Sequence, residues 1–358
     1  MQAATGLAIG RRVDPQLAAT AVEQAMQQLD ITTASSVLLF LTSEFANDPL
    51  PAIRAAAKAA SCTQVIGCSA PGIFTEQDWV LDAPAAAVMV FGNGVSIHHV
   101  SERPEQEIVL ALAAPNAINS NRIIASGIRF GGVSGDATGQ GPFSVWQNAK
   151  GIVSGYCEAA FSGLNAAVSA AHDVKLLGKP QLITRVDGHD VQSLGDTTAL
   201  QSLHAACRGH ESLPLHLLMA VFADSPEVIA RGDYQLATLI SVNDDEGSVT
   251  IAKPLQEWQY LSWAIRDTQA AQDNLENVVN KLVADLETMP DFGLMFSCLG
   301  RGPYFYDGVD RDLMLLKEKF PDMPFIGFYG NGEIAPINGV NELLQYSAVL
   351  GLFARSEI

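Results

Sequence analysis

One short stretch, FSCLGRG at residues 296–302, brings together the most reactive residue types in this chain. An apolar run ends there at the thiol of Cys298, and Arg301 follows between Gly300 and Gly302, which let the backbone approach a ligand closely. A guanidinium in that place could hold a ligand carboxylate through paired hydrogen bonds. Two other interpretations stay open: Cys298 is a small buried hydrophobe, and Arg301 makes a structural ion pair.

A second stretch, GNGEI at residues 330–334, places the carboxylate of Glu333 directly after a flexible turn that contains Asn331 and Gly332. That carboxylate could accept a ligand ammonium group, or act as a general base if burial raised its pKa. The alternative is a turn glutamate that holds neighbouring backbone N–H groups. A dinucleotide fingerprint is excluded, because Pro336 follows so closely that no helix can begin there to receive a pyrophosphate.

The N-terminal half offers further candidates of the same kind. Cys68 and Ser69 end an apolar run, where a hydroxyl and backbone N–H groups could bind an anion. A purely structural turn is the alternative at this position. Asp136 ends a glycine-rich segment, residues 127–136, that is predicted to be a loop. Its carboxylate either meets the ligand or caps the loop.

Several other kinds of site find no support in the sequence. His204, Cys207 and His210 recur at three-residue intervals, but no zinc-binding spacing is matched, so no metal site is predicted. The serine-hydrolase motif Gly-x-Ser-x-Gly and the phosphate-binding motif Gly-x-x-x-x-Gly-Lys are both absent from the sequence. No cofactor is therefore expected.

The composition is that of a globular chain with an acidic surface. Of the 358 residues 48% are hydrophobic, and Asp plus Glu number 39 against 21 Lys plus Arg, for a formal charge of -18. Such a surface repels phosphate backbones and anionic lipids, so neither nucleic acid nor a membrane is an expected partner. No apolar run reaches the roughly 20 residues of a membrane span. Five scattered cysteines predict reduced thiols and a cytoplasmic location.

Hydrophobic runs predict two βαβ units far apart in the chain. One has strands at residues 37–41 and 64–68, and the other has strands at residues 291–298 and 325–328. Further strands are expected between them, including one at residues 122–125. Each unit ends in a glycine turn, and ligands of open α/β sheets bind at the carboxyl ends of strands.

The repeated pattern predicts an α/β fold made of two related halves, with α+β as the alternative class. Each half is expected to be a mixed sheet with βαβ units flanked by helices. The division is placed near Gly195, which gives domains at residues 1–195 and 196–358. Whether the glycine loops of the two halves meet in one site or lie on opposite sides stays open.

These motifs resemble those of the FIST family, named for F-box and intracellular signal transduction proteins. The N-terminal resemblance rests on VIGCS at residues 65–69 and GGVSGD at residues 131–136, and the C-terminal one on FSCLGRG and on IGFYGNGEI at residues 326–334. Residues 1–195 resemble the FIST N domain and residues 196–358 the FIST C domain. A stand-alone form without an F-box is expected, so a ubiquitin-ligase role is not implied.

The resemblance implies a small-molecule sensor of signal transduction whose ligand is an amino acid or a related carboxylate. Binding without catalysis is favoured, with a small-molecule ligand and a signalling protein as partners, and a homo-oligomer is also considered. Two alternatives are a hydrolase or transferase that uses Cys298 as nucleophile, and a non-catalytic protein-interaction scaffold. The residues expected to contact the ligand are Cys68, Ser69, Asp136, Cys298, Gly300, Arg301, Gly302, Asn331, Gly332 and Glu333.

Overall fold

The computed structural model describes residues 2–92, 94–98, 100, 107–151, 155–209 and 215–356. The chain forms two compact units. The large unit comprises Met1–Ala171 and Leu275–Ile358, and the small unit comprises His172–Asn274. The division near Gly195 concerns family domains along the chain and stays a prediction. The compact units divide the chain differently, because its N-terminal and C-terminal segments belong to the same unit.

Most of the helices are short, and most connect or precede strands. The α-helices of the described residues are α1 (Gln16–Leu29), α2 (Leu50–Ala59), α3 (Ser120–Ile123), α4 (Ala199–Ala206), α5 (Pro226–Ala230), α6 (Thr268–Leu286), α7 (Gly302–Phe305) and α8 (Arg311–Lys319). Single 3-10 turns occur at Ser43–Phe45, Pro115–Ala117 and Leu215–Leu217.

The strands of the large unit precede and follow those of the small unit in the chain. The large unit begins with β1 (Ala3–Ile9), β2 (Ser36–Thr42), β3 (Val65–Ala70), β4 (Gly72–Thr75), β5 (Trp79–Leu81), β6 (Ala85–Phe91), β7 (Ser96–His98), β8 (Ile108–Ala113), β9 (Ile128–Val133), β10 (Val145–Gln147), β11 (Lys150–Gly151), β12 (Tyr156–Ser162) and β13 (Leu164–His172). The small unit contains β14 (Val174–Leu176), β15 (Gln181–Asp187), β16 (Asp190–Leu194), β17 (Thr197–Thr198), β18 (Leu218–Ala223), β19 (Gln235–Asn243), β20 (Ser248–Ile251) and β21 (Tyr260–Arg266). The large unit then ends with β22 (Phe292–Cys298), β23 (Phe325–Gly330), β24 (Glu333–Ile337), β25 (Val340–Leu344) and β26 (Ser347–Arg355).

Three six-stranded sheets of one design make up the large unit. Sheet A is ordered β1-β6-β2-β3-β10-β11, sheet B β13-β26-β22-β23-β4-β5, and sheet C β7-β12-β8-β9-β24-β25. Each contains a central parallel pair, namely β2–β3, β22–β23 or β8–β9, joined by a helical crossover. An antiparallel strand flanks the first member of each pair, and a hairpin flanks the second. The large unit is therefore built from three repeats of one βαβ-based pattern.

The repeats are tied together by an exchange of hairpins. The hairpin β4–β5 follows β3 of sheet A in the chain but pairs with β23 of sheet B. In the same way β24–β25 follows β23 and pairs with β9 of sheet C, and β10–β11 follows β9 and pairs with β3 of sheet A. Each repeat thus supplies the last two strands of another repeat's sheet, and the three exchanges together form a closed cycle.

One glycine in the second parallel strand marks the same place in each repeat. Gly67, Gly131 and Gly327 lie opposite Leu39, Ala111 and Met295 in the parallel registers. A Cβ atom on these glycines would lie 1.7, 1.9 and 1.7 Å from the carbonyl oxygens of those opposing residues. No side chain fits at such a distance, so glycine is required there, and these positions align the three repeats residue by residue.

The inner faces of the three sheets share one apolar core. It includes Phe40 from sheet A, Phe130 from sheet C, and Phe296 and Phe328 from sheet B, all fully buried. The ring centroids of Phe40 and Phe328 are 5.0 Å apart, and those of Phe296 and Phe328 are 5.1 Å apart, at edge-to-face angles. We call this cluster the central core.

Helices cover the outer faces of two of the sheets. Ala21, Val22 and Ala25 of α1 pack on sheet A together with α2. Leu282 of α6 and Leu316 of α8 belong to the cluster on the outer side of sheet B. The central strands of both sheets are consequently buried on two faces, which explains why they read as continuous apolar runs.

The small unit is an antiparallel barrel. Pairing of β18 with β21 closes the strands β21, β15, β16, β20, β19 and β18 into a ring. Its core includes Val249, Leu261 and Trp263, with Leu200 and Leu203 of α4 packed against them. Closure leaves these six strands without a free edge.

The α/β fold with mixed sheets, flanking helices and two βαβ units is confirmed. The structure adds a third βαβ unit, β8–α3–β9, that the sequence analysis did not predict. Residues 122–125 are not a strand but contain the end of α3, and the predicted loop at residues 127–136 contains β9. Glycine disfavours strands in general, and here the glycines of β9 are needed for close contact with β8.

Candidate functional site

The carboxyl ends of β3, β9 and β23 meet, and they bring both halves of the sequence together. The hydroxyl of Ser134 donates to the carbonyl of Ser69 at 2.6 Å. The backbone N–H of Asn331 donates to the carbonyl of Val133 at 3.0 Å, and the N–H of Val133 donates to Gly332 at 2.8 Å. We call this meeting point the strand-end junction. The glycine loops of the two halves therefore do lie side by side.

Glu333 is the buried acidic group of the junction. It opens β24, pairs with Gly132 of β9, and is completely shielded from solvent. Its Oε2 accepts a hydrogen bond of 2.7 Å from the hydroxyl of Ser347. Side chains alternate along a strand, so Glu333 shares a face with Ala335 and Ile337, which belong to the central core. A carboxylate has thus been placed at an apolar edge, where burial of a charge is costly.

Equivalent positions in the other repeats show how unusual this carboxylate is. The residue after each aligned glycine is Cys68, Gly132 or Phe328, and these pair with Val145, Glu333 and Ile73 respectively. Val145 and Ile73 are buried members of the central core. The fold therefore accepts an aliphatic side chain at this position. Only the third repeat along the chain, β22–β23 with the hairpin β24–β25 that follows it, replaces this side chain with an acid.

Cys298 and Ser347 lie next to each other near Glu333. Ser297 pairs with Ala348 in the antiparallel register of β22 and β26, so the next step sets Cys298 opposite Ser347. Both side chains point to the face of the central core, because Phe296 precedes Cys298 by two residues. Cys298 is 8% exposed to solvent, whereas Ser347 is fully buried.

The corresponding pairs of the other two repeats have different side chains. They are Thr42 opposite Ala85 and Ala114 opposite Gly155, one step beyond the last registered pairs. The Thr42 hydroxyl accepts a hydrogen bond from the N–H of Ala85, and the N–H of Ala114 donates to the carbonyl of Gly155. The combination of thiol, hydroxyl and carboxylate is thus specific to the third repeat.

Arg301 is fully buried in an ion pair. Its Nε and Nη2 donate to the two carboxylate oxygens of Asp312 at 2.7 and 3.1 Å, and its Nη1 donates to the carbonyl of Ala171 at 2.9 Å. The hydroxyl of Tyr306 donates to the same carboxylate at 2.8 Å. These contacts agree with the structural ion pair that the sequence left open, and they hold α7 and α8 against β13.

The Arg301 cluster and Glu333 lie on opposite faces of sheet B. Ala171 and Tyr329 belong to the outer, helix-covered cluster, whereas Glu333 extends from the central core. Gly302 lies on the outer side as well, because a Cβ there would be 2.5 Å from the ring of Tyr329. A single ligand in contact with both Arg301 and Glu333 would have to pass through the sheet.

A second carboxylate of the cluster has an altered acidity. Asp310 caps the N-terminus of α8 by accepting the N–H of Leu313 at 2.9 Å, and it also accepts the hydroxyl of Tyr329. Burial, and then the neighbouring Asp312 carboxylate, raise the pKa of Asp310 to about 6.

The three N-terminal candidates are engaged within the protein. Ser69 is fully buried, and its Oγ accepts the N–H of Ser144 at 3.1 Å. Cys68 points into the central core, where burial and the nearby Cys157 thiol raise its pKa well above the usual value. Asp136 accepts hydrogen bonds from Thr138 Oγ1 and from two backbone N–H groups of its own loop. The contacts of Asp136 agree with the loop-capping alternative.

Two turn residues complete the set of predicted contacts. Asn331 is half-buried, and its side-chain amide oxygen lies 2.5 Å from where a Cβ on Gly135 would be. Gly300 is exposed, and a Cβ there would be 3.8 Å from the sulfur of Cys298. The junction thus has a solvent-facing turn beside its thiol. That all of these contact a ligand stays a prediction.

Sequence reasoning missed Ser347 and Ser134, the hydroxyl partners within the junction. Ser347 lies in no recognisable motif, and the signal that identifies it is its register opposite Cys298, whereas Ser134 lies within GGVSGD at residues 131–136 but was not singled out there. Within the described ranges no three His, Cys, Asp or Glu side chains are grouped so as to hold a metal ion. Of the three residues considered as ligands at the outset, His210 lies outside the described residues.

Comparison with known proteins identifies two matching domain models and several relatives. The FIST N domain matches residues 35–197 and the FIST C domain matches residues 199–336. An uncharacterized protein of Mycobacterium tuberculosis is 25% identical over 368 residues, covering 94% of this chain and 95% of its own. One from Mycobacterium bovis is 24% identical over 379 residues, covering 97% and 98%. Human F-box only protein 22 is 25% identical over 173 residues, covering 45% of this chain and 39% of its own.

FIST domains are associated with signal transduction. Across the described ranges, every helix is too short or too polar to traverse a lipid bilayer. All five cysteines fall within these ranges, and they are thiols rather than halves of disulfides.

Proposed function

The chain belongs to the FIST family, and we propose that it is a cytoplasmic small-molecule sensor whose ligand binds at the strand-end junction. Glu333 receives the amine of the ligand, and the exposed turn at Gly300 receives the rest of it. An amino acid or a related small carboxylate has the required size and charge. The reduced thiols support a cytoplasmic location, and a signalling protein would read the bound state.

The observation that carries this proposal is the departure of the third repeat from the other two. Where Ile73 and Val145 stabilise the central core, Glu333 adds a buried carboxylate that folding alone does not require. A residue that opposes the local demand of the fold marks a functional position. The hydroxyl of Ser347 orients this carboxylate, as a preformed receptor group needs.

The chemistry of a buried carboxylate selects its ligand. An ammonium group offers an opposite charge and several N–H donors, so it compensates the burial of Glu333 in a way that a neutral apolar ligand cannot. Arg301 has no part in this proposal, because its guanidinium is bound to Asp312 and to the carbonyl of Ala171. Gly300, without a side chain, leaves room beside Cys298 for the carboxylate end of an amino acid.

A thermal-shift screen tests this assignment. We expect a saturable shift with amino acids or small amines, equivalent to about 2.7 kcal/mol at 100 times the dissociation constant. Glu333→Gln keeps the shape and removes the charge, so it should lose the shift, whereas Glu318→Gln on the exposed face of α8 should keep it. Matched amines without carboxylates, and carboxylates without amines, identify which end of the ligand is recognised.

A second variant separates binding from folding. Glu333→Ile imports the residue that the first repeat has at the equivalent position, so the protein should fold with equal or greater stability and bind nothing. The proposal would be abandoned if no ligand class shifts the wild-type protein, or if Glu333→Ile binds as the wild type does.

An enzyme that uses Cys298 is the second candidate. The observation in its favour is the sequence of groups from the Cys298 thiol through the Ser347 hydroxyl to the Glu333 carboxylate. A nucleophilic cysteine must be a thiolate near neutral pH. If Cys298 is catalytic, iodoacetamide should alkylate it at pH 7 nearly as fast as at pH 9, as followed by peptide mass spectrometry. A rate that rises steeply with pH and equals that of half-buried Cys62 would leave only the binding role.

A further inference from the structure

The small unit contains a cavity of its own, at one side of its barrel. It has a volume of about 210 Å³ and lies between α4 and the strand β21. Residues of the segment that joins β14 to β15 complete its wall. All of these residues belong to the small unit, so this cavity is separate from the strand-end junction.

A chain of oriented hydrogen bonds forms one wall of the cavity. The indole N–H of Trp263 donates to Ser202 Oγ at 3.0 Å, and the Ser202 hydroxyl donates to Gln181 Oε1 at 2.8 Å. Trp263 and Ser202 are 3% and 5% exposed, whereas Gln181 is exposed. Because its oxygen is used as an acceptor, the amide of Gln181 offers its N–H groups to an incoming ligand.

The charge of the cavity is opposite to that of the whole chain. Lys179 stands at its mouth and is exposed, and the lining residues, all of them described, include no Asp or Glu. The chain as a whole carries a formal charge of -18. A region without acids and with one ammonium group therefore favours an anion locally, despite the overall charge.

The remaining wall is apolar, and the space is small. Leu177, Leu261, Ala205 and Ala206 contribute aliphatic surface. At about 30 Å³ for each water of the liquid, the volume corresponds to roughly seven waters. That is enough for a ligand of a few heavy atoms and too little for a nucleotide.

We infer that the small unit binds a short-chain monocarboxylate. The carboxylate accepts hydrogen bonds from the Lys179 ammonium and from the Gln181 amide, and the aliphatic tail lies against Leu261 and Ala206. The Trp263–Ser202 bond fixes the Gln181 side chain from behind, so that its donors face the carboxylate before the ligand arrives. The inference does not depend on the role of Glu333.

Isothermal titration calorimetry with butyrate tests the inference, and butyramide serves as the neutral analogue of equal shape. We expect saturable butyrate binding to the wild type, and binding of butyramide weaker by about tenfold or more, because a charge-assisted hydrogen bond is lost. Lys179→Gln should weaken butyrate binding by about the same factor. Lys175→Gln, at an exposed lysine of β14, should leave it unchanged.

A cavity-filling variant and a distant variant complete the design. Ala206→Phe should abolish butyrate binding, and circular dichroism checks that it is folded. Glu333→Gln should bind butyrate as the wild type does, which separates a failure of this inference from a failure of the proposed sensor site. The inference is overturned if the wild type gives no saturable heat, or if Lys179→Gln and the wild type bind butyrate equally.

Discussion

Glu333 occupies the position that Ile73 and Val145 occupy in the other two repeats of the large unit. Two aliphatic side chains show what the fold prefers there, and the carboxylate shows what it tolerates when Ser347 supplies a hydrogen bond. Comparison of the three equivalent positions distinguishes Glu333 from an ordinary turn glutamate, because the other two positions are aliphatic. At this scale the function lies in single side chains that differ between equivalent places.

Arg301 illustrates the opposite case, since its charge is used for structure. The bidentate bond to Asp312 and the bond to Ala171 hold α7 and α8 to the outer side of sheet B. Breaking a buried pair from one side leaves an uncompensated charge, which typically costs about 3–5 kcal/mol. Arg301 therefore stabilises the packing of α7 and α8 on the helix-covered side of sheet B, opposite to the face of Glu333.

Asp310 makes the stability of this cluster depend on pH. Its pKa of about 6 in the folded protein lies above the ordinary value of 3.8 for an aspartate, so the folded state binds the proton more tightly than the unfolded chain does. The contribution of Asp310 to the free energy of unfolding is fully present below the pKa that Asp310 has in the unfolded chain. It is lost as the pH rises through about 6. Asp310→Asn keeps an oxygen for the N–H of Leu313 and no longer titrates, so it should gain about 2 kcal/mol relative to wild type between about pH 4 and pH 7.

Urea unfolding of both proteins across that pH range measures the difference. The exposed Asp322→Asn variant is the control and should track the wild type throughout. A constant difference between Asp310→Asn and wild type at every pH would show that folding does not raise the pKa of Asp310.

At the scale of elements, the exchanged hairpins decide where the site forms. β24 leaves its own sheet directly after β23 and pairs with β9, so Glu333 is carried from sheet B to sheet C. The same move by β4 and β10 places apolar residues at the equivalent points. The junction is thus a product of connectivity, because strands distant in the chain provide its backbone and its side chains.

The aligned glycines are the strand positions at which a side chain is most strongly excluded. Gly327→Ala would set a Cβ at 1.7 Å from the carbonyl oxygen of Met295, and backbone cannot move that far at little cost. We expect a loss of roughly 3 kcal/mol or more in the free energy of unfolding, at the upper end for overpacked positions. Chemical denaturation followed by circular dichroism gives the value.

Gly151→Ala provides the matched control for that measurement. Gly151 also lies in a strand, and a Cβ there meets nothing within 4 Å. Its effect should stay within about 0.5 kcal/mol. Equal losses for both variants would mean that general strand propensity, and not the close approach to Met295, explains the glycine.

At the scale of the whole molecule, neither family segment coincides with a compact unit. The FIST N match, residues 35–197, runs past the end of β13 into the small unit, and the FIST C match, residues 199–336, begins there and returns to the large unit. Sheets B and C each combine strands from before and after the small unit. The family domains are therefore segments of sequence, and the folded units are assembled from both.

Local patterns in the sequence were sufficient for the α/β class, for two of the three βαβ units and for the chemistry present at Cys298 and Glu333. Apolar runs and glycine turns are patterns of residues that lie close together in the sequence, so they can be recognised without knowledge of the fold. The strand β9 was missed because its glycines are required by close contact with β8, and no local pattern in the sequence shows that contact.

Only the tertiary structure decided which of these groups meet. It assigned Arg301 to Asp312, brought Ser347 to Glu333, and joined Ser69 to Ser134. These partners depend on which strand pairs with which, and hairpin exchange settles that through long-range contacts. A sequence specifies such contacts only through the free energy of the complete fold, which is why side-chain chemistry was predictable and its geometry was not.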